Sequence, residues 1–294
     1  MPGGYRQIMA FTPLIRPAVV EDAIAIKKLL SYNDRVHRHL DWCTPMERLG
    51  EPSYYVIDHH ETVQAAMSCP EDPQDVAWVR FFGAQPGYSM NDSFSLLLRE
   101  IYRNYTHIPE MIVSVAVQGW FLRLLMEQQF TLHQVIVVLQ LDPFSASLPD
   151  VDPQLEIRPV TPEDVDEVVR VDHEAFAPIW RYSQHDIRSA FSHSAYAAIA
   201  LHQNQVIGYQ FSSATPFSAH LTRLAVIPSL QGHGIGRQLT ADMIRFSMRI
   251  GIDTITVNTQ SDNHSSLKVY QRIGFMLTGE QFPVMRYEGH SSAA

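Results

Sequence analysis

The six residues Gln231-Gly232-His233-Gly234-Ile235-Gly236 have the types and spacing that point most directly to chemistry. They follow an apolar run from Leu221 to Val226 and precede a helix-like stretch that begins near Arg237, so the pattern Q-x-x-G-x-G lies at a strand-to-helix crossing. Glycines there let the backbone approach a ligand with no side chain in between. The amides that follow open a helix, whose N-terminus offers unpaired N–H groups and a dipole that favours an anion. The predicted chemistry is the cradling of a phosphate-bearing cofactor; as a bare pattern, the alternative is a flexible turn.

The surrounding residues extend the pattern. Arg223-Leu224-Ala225-Val226-Ile227-Pro228-Ser229-Leu230 leads into the glycine turn, and Arg237-Gln238-Leu239 follows it. This stretch resembles motif A of the GNAT N-acetyltransferase superfamily. Downstream, Asn258 to Gln260, Ser261-Asp262-Asn263-His264-Ser265-Ser266-Leu267-Lys268-Val269-Tyr270 and Gln271 to Phe275 are similar to motif B of the same family. The resemblance implies acetyl-CoA as co-substrate. Its pyrophosphate would lie on Gln231, Gly232, His233, Gly234, Ile235, Gly236 and Arg237. Its pantetheine arm would pair as an extra strand along Leu224, Ala225 and Val226, with Asn258, Asn263 and Ser266 completing the cofactor set. Tyr270 matches the Tyr that many members use to protonate the leaving sulfur; the other reading is a Tyr that packs the core.

Acetyl transfer to an amine also needs a proton acceptor, because an alkyl ammonium of pKa ~10 is only about one part in a thousand neutral at pH 7. Histone-acetyltransferase-like members carry a Glu early on the motif A strand, where this chain has His220, whose ordinary pKa suits general-base work. Ribosomal-protein N-acetyltransferase-like members carry a Glu where this chain has Asn258, which cannot accept a proton. The acceptor pocket of such folds is expected at the loop Phe176-Ala177-Pro178-Ile179-Trp180-Arg181-Tyr182. Trp180 and Tyr182 would pack an apolar amine or stack on a cation, or else form a hydrophobic lid. Glu174 would pair with an ammonium or stand solvated.

Composition narrows the function classes. The formal net charge of −9, with no block of Lys or Arg, argues against nucleic acid. No apolar run is long enough to span a membrane. Met1 to Gln7 lack the basic start and apolar core of a signal peptide. Sparse cysteine, Cys43 and Cys69 alone, suits a reducing compartment, so a cytoplasmic location is expected. His37 and His39 flank Arg38, and His59-His60 are adjacent, which makes poor chelating pairs, so no metal is predicted.

An internal echo sets the organisation. Ile15-Arg16-Pro17-x-x-x-Glu21-Asp22 repeats as Ile157-Arg158-Pro159-x-x-x-Glu163-Asp164, half a chain apart, which implies duplication. The expected fold is α/β (α+β, GNAT fold) in two tandem GNAT-like domains, each a mixed, mostly antiparallel central sheet flanked by helices. Residues 1–150 form a degenerate GNAT-like domain: Gly83-Ala84-Gln85-Pro86-Gly87-Tyr88 stands where the pyrophosphate loop would be, and Pro86 removes an amide donor. Residues 151–294 form the acetyl-CoA-binding catalytic domain, after a Pro-, Ser- and Asp-rich linker at 142–153.

Strands are predicted at 54–58, 63–67, 76–82, 111–117, 132–141, 155–159, 196–201, 206–213, 221–226 and 253–259, with two short final strands near Phe275 and Val284. Helices are predicted at 22–30, 93–105, 119–129, 161–176, 183–191, 234–250 and 265–273. The function this implies is N-acetyl transfer to a primary amine of a small molecule or protein N-terminus, by direct attack in a ternary complex. A homodimer is compatible with it. The alternative is a non-catalytic acyl-CoA-binding module that regulates a partner protein. Longer acyl groups stay open, since Phe211, Phe217 and Phe246 do not fix the chain length.

Overall fold

The computed structural model of the protein describes residues 13–39, 42–59 and 61–288. His60 and the first twelve residues, on which the reading of adjacent histidines and of a leader rests, lie outside the described residues. In chain order the first half contains β1 (Leu14–Pro17), α1 (Ala23–Leu29), β2 (Val36–Arg38), β3 (Tyr54–His59), β4 (Thr62–Ser68), β5 (Val76–Trp78), β6 (Phe81–Ala84), α2 (Met90–Asn104), β7 (Met111–Val115), α3 (Gly119–Glu127) and β8 (Phe130–Leu141). The second half contains β9 (Glu156–Pro159), α4 (Val165–Ala175), α5 (Gln184–His193), β10 (Tyr196–His202), β11 (Gln205–Ala214), β12 (Ser218–Val226), α6 (Ile235–Arg249), β13 (Thr254–Gln260), α7 (His264–Ile273) and β14 (Met276–Tyr287). Among the described residues no helix is long and apolar enough to cross a membrane.

The repeated I-R-P-x-x-x-E-D segment folds the same way twice. Arg158, on β9, forks onto both carboxylate oxygens of Asp164 at 2.7 and 2.8 Å, and Arg16, on β1, does the same to Asp22 at 2.7 and 2.8 Å. Each carboxylate also accepts the amide three residues earlier, Thr161 at 2.8 Å and Val19 at 2.9 Å. The acid closes the turn into the first helix of its half, and the arginine ties that turn back to the strand. The Arg158 guanidinium holds the Asp164 carboxyl down at about 2.

The strands form an antiparallel sheet and a mixed sheet, with helices packed on them. The five-stranded sheet has the order β1-β3-β4-β6-β2, and the nine-stranded sheet β5-β7-β14-β8-β13-β12-β11-β10-β9. β4 is buried from Val63 to Ser68 because α1 and α2 cover opposite faces, which explains its nearly unbroken apolar run. The second sheet draws strands from both halves. β8 lies between β13 and β14, pairing Ile136–Leu141 with Ile255–Gln260 and Phe130–Val137 with Gln281–Tyr287. Hydrogen bonding therefore runs straight across residue 150.

Two expectations are corrected, and one strand was not predicted. The run 76–82 is two strands in different sheets, since the chain leaves β5 at Trp78 and enters β6 at Phe81. The two final strands are one strand, β14, interrupted by an irregularity between Leu277 and Gln281. β2, of three residues, escaped the sequence reading because so short a segment carries no period.

One feature of the second sheet positions the site. β12 and β13 are parallel but pair only at Ser218–Leu221 with Thr254–Val257. Beyond that, β12 stays with β11 as far as Val226, and β13 stays with β8 as far as Gln260. The two strands fork, and the β12 edge from Thr222 to Val226 has no β13 partner.

Candidate active site

A cleft of about 600 Å³ fills the fork. His220, Thr222 and Leu224 line it from β12, with Thr256, Asn258 and Gln260 from β13. Leu221 and Arg223 of β12 and Thr259 of β13 also line it. Asn263, Ser266 and Tyr270 line it from the start and inner face of α7. Asn263 caps that helix, its side-chain oxygen accepting the Ser266 amide at 3.1 Å.

At the outer end of β12 the chain turns into α6. Gly234 is its N-cap at φ +86°, a left-handed conformation that costs any residue with a Cβ, and no side chain caps the helix. Gln231 anchors the turn by donating to the Val226 carbonyl at 3.0 Å. The first-turn amides of α6 thus face outward with no capping oxygen, as an anion site requires. Gly236 packs against Leu224, where an added Cβ would lie 3.8 Å from its Cδ2, so the turn abuts the edge that leads into the cleft.

Among the titratable groups that line the cleft, His220 and Tyr270 belong to the fork and to α7. His220 shares Nδ1 with the Thr256 hydroxyl at 2.8 Å, and burial lowers its pKa below the ordinary histidine value. It is therefore neutral near pH 7, with a ring nitrogen able to accept a proton. Burial raises the Tyr270 pKa above the ordinary tyrosine value, so its hydroxyl keeps its proton.

The opposite wall is the loop 176–182, held by a buried ion pair. Asp172, fully buried on α4, accepts Arg223 Nε at 2.7 Å, the Tyr182 amide at 2.8 Å and the Tyr209 hydroxyl. Arg223 lies over the rings of Phe176 at 3.8 Å and Tyr182 at 3.6 Å and donates to the Trp180 carbonyl. Burial opposes its charge, but Tyr209 and Asp172 outweigh that and raise its pKa. Trp180 donates its indole N–H to Gln134 on β8 at 3.0 Å, and Gln134 donates to Asp262 beside α7 at 3.1 Å. The chain Trp180–Gln134–Asp262 thus ties the loop 176–182 to the start of α7 through a strand of the N-terminal half. That half also supplies His39, Trp42, Trp78 and Arg80 to the cleft, with Trp78 against Trp180 at 5.5 Å between ring centroids.

The cleft brings together His220, Leu224, Asn258, Asn263, Ser266, Tyr270, Trp180 and Tyr182. Ala225 and Val226 are buried in the core behind it, and Gln231 to Arg237 form the turn outside its lining. Glu174 is the correction. It is exposed, ion-paired with Arg170 at 2.7 Å, and absent from the cleft, because its helical position directs it along α4 rather than inward. A ring face of Tyr182 is occupied by this chain's own Arg223, so the cation it stacks on is internal. Sequence reading missed Asp172, Arg223 and Glu280. An acid within the apolar stripe Val165, Val168 and Val171 of α4 was the available signal for the first. Outside the cleft, Cys43, His185 and Asp186 bring potential ligand atoms within 4.8 Å across the two halves, with Arg80 also 3.6 Å from Asp186.

Residues 164–275 match the model of the acetyltransferase (GNAT) family. The chain is 33% identical over 69 residues to the uncharacterized N-acetyltransferase YvbK of Bacillus subtilis, covering 24% of this chain and 44% of that protein. It is 24% identical over 128 residues to a mycothiol acetyltransferase of Mycobacteroides abscessus, covering 39% of this chain and 43% of that protein. The chain spans between 34% and 54% of the length of the curated relatives it matches. In fold it is similar to a tandem GNAT protein from the clavulanic acid biosynthesis pathway, with a TM-score of 0.63 at 15% identity over 96% of this chain and 100% of that one. With the forked parallel strands and the glycine turn, these matches place a GNAT acetyltransferase domain at residues 164–275, in a chain whose fold is similar to that of a tandem GNAT protein.

Proposed function

We propose that the chain is an N-acetyltransferase that uses acetyl-CoA and a primary amine in a ternary complex, with its working site in the C-terminal half. The fork between β12 and β13, open along Thr222 to Val226 and ending at the uncapped N-terminus of α6, carries the reading. An open strand edge offers backbone groups to an extended, amide-bearing arm, and the helix N-terminus suits a pyrophosphate. Acetyl-CoA supplies the acetyl group and a thiolate leaving group. His220, kept neutral by burial, takes the proton that the acceptor nitrogen sheds as its lone pair bonds to the acyl carbon. Tyr270, kept protonated by burial, gives its proton to the sulfur as the carbon–sulfur bond breaks. The cleft walls hold both reactants in one water-poor space, where orientation contributes most to rate. The amine is that of a small molecule or a peptide terminus, and the N-terminal half shapes the acceptor end without a phosphate turn of its own.

Calorimetric titration with acetyl-CoA, run beside thiol release with a panel of amines, tests this. One tight site with amine-dependent thiol release is expected. Binding without release would leave an acyl-CoA-binding module, and two sites would refute the silent N-terminal half.

A further inference from the structure

The cleft has one carboxylate among its described lining residues, Glu280, and its position has a local cause. Phe282, Ile136 and Gln260 form a register row across β14, β8 and β13, and all three line the cleft. Val138 and Asn258 form the next row on the same face. The β14 place in that row is taken by three residues, Thr278, Gly279 and Glu280, because pairing jumps from Leu277–Leu139 to Gln281–Val137. The bulge is built from specific contacts: the Thr278 hydroxyl donates to the Val138 carbonyl at 3.2 Å, and the Glu280 amide donates to that hydroxyl at 3.1 Å. Gly279 supplies the left-handed φ of +90° that the bulge needs. Such bulges re-aim a side chain, and this one puts Glu280 at the rim, two strand spacings or about 10 Å from Asn258.

The other charges lining the cleft already have partners. Arg223 is paired with Asp172, Arg80 stands 3.6 Å from Asp186, and Arg181 donates to the Phe176 carbonyl at 3.2 Å. Glu280 forms no ion pair among the described residues. An amine reaching this cleft at neutral pH arrives as an ammonium and needs a counter-charge before it surrenders a proton. On the acetyltransferase reading above, we propose that Glu280 receives the acceptor's ammonium at the rim while its apolar body packs on Trp78 and Trp180. The substrate class is then a primary ammonium carried on a flat apolar group.

The test uses the full chain, Glu280→Gln and Glu280→Asp, with 2-phenylethylamine and benzylamine as probes and 2-phenylethanol as the uncharged control. For Glu280→Gln the expected result is a KM for the amine raised about tenfold, a kcat within twofold and an unchanged acetyl-CoA affinity. Glu280→Asp should fall between, and 2-phenylethanol should bind both proteins alike. Thiol release by the wild type with an amine KM unmoved in Glu280→Gln would overturn the role of Glu280 and leave the acetyltransferase reading standing. If the wild type binds acetyl-CoA but releases no thiol, that reading fails, and amine binding to the acetyl-CoA-loaded protein decides. A tenfold loss of amine affinity in Glu280→Gln then upholds the ammonium site, and equal affinities or no binding to the wild type overturn it.

Discussion

Removing the Asp172 carboxylate should destabilise the protein by far more than an average substitution. Asp172 is fully buried and accepts three hydrogen bonds, from Arg223, the Tyr182 amide and the Tyr209 hydroxyl. Asp172→Asn leaves the Arg223 guanidinium between two rings with no counter-charge, and breaking a buried pair in this way costs about 3–5 kcal/mol. For a domain of 150–250 residues that corresponds to a fall in melting temperature of roughly 6–20 °C. Arg223→Met should cost less, because the Asp172 carboxylate keeps two donors while in Asp172→Asn the Arg223 guanidinium keeps only neutral oxygens, those of Trp180 and Tyr209. In the double variant Asp172→Asn/Arg223→Met both charges are gone, and its cost should fall below the sum of the singles by at least about 2 kcal/mol. Urea unfolding of the four proteins measures this cycle directly. Additive single costs, or a cost for Asp172→Asn below about 1 kcal/mol, would refute the claim that one buried pair anchors the loop. The same variants should bind acetyl-CoA normally but lose amine-dependent turnover, since Trp180 and Tyr182 lose their anchor while the α6 turn does not.

Gly234→Val forces a β-branched residue into the left-handed N-cap of α6 and should lower acetyl-CoA affinity at least tenfold with helix content retained by circular dichroism; unaltered affinity would remove the phosphate turn from the reading. Tyr270→Phe should lower kcat about a hundredfold without changing acetyl-CoA affinity, the range expected for loss of a positioned proton donor, whereas turnover within threefold of the wild type would exclude that role. His220 sets the pH dependence. Burial lowers its pKa, so it is unprotonated at neutral pH, and kcat/KM should fall only as pH drops through a value below about 6.5. In His220→Gln that acid limb should vanish along with most of the rate, and an acid limb that persists unchanged would assign the proton to another group.

What was legible in the sequence was whatever is written in contiguous residues. The glycine turn before α6, the helix α7 and the doubled I-R-P-x-x-x-E-D segment each occupy a short window, and local backbone rules decide them. What was illegible depends on partners far apart in the chain. The residues of β8 predict a strand, but their pattern does not state that the strand lies between β13 and β14. The stretch Thr278-Gly279-Glu280 reads as a turn separating two strands, and it is a bulge within one, so the carboxylate it delivers to the cleft was invisible. Asp172 looks like a polar interruption of an apolar helix face until Arg223, 51 residues later, is seen to meet it.

The insertion of β8 also bears on what the N-terminal half contributes to the cleft of the other half. β8 pairs with β13 on one edge and with β14 on the other, and its Val137, Leu139 and Leu141 are buried in the core shared with β13, α6 and α7. Without it, β13 and β14 would each present an unpaired edge in the middle of the sheet, and the cleft would lose Ile136, Val138 and the Gln134 link to Trp180. The bulge that carries Glu280 is held on β8, where the Val138 carbonyl accepts the Thr278 hydroxyl. The N-terminal half therefore contributes a structural strand, an aromatic wall and the register of the acceptor end. Each of these is a shape that the cleft of the other half is built against.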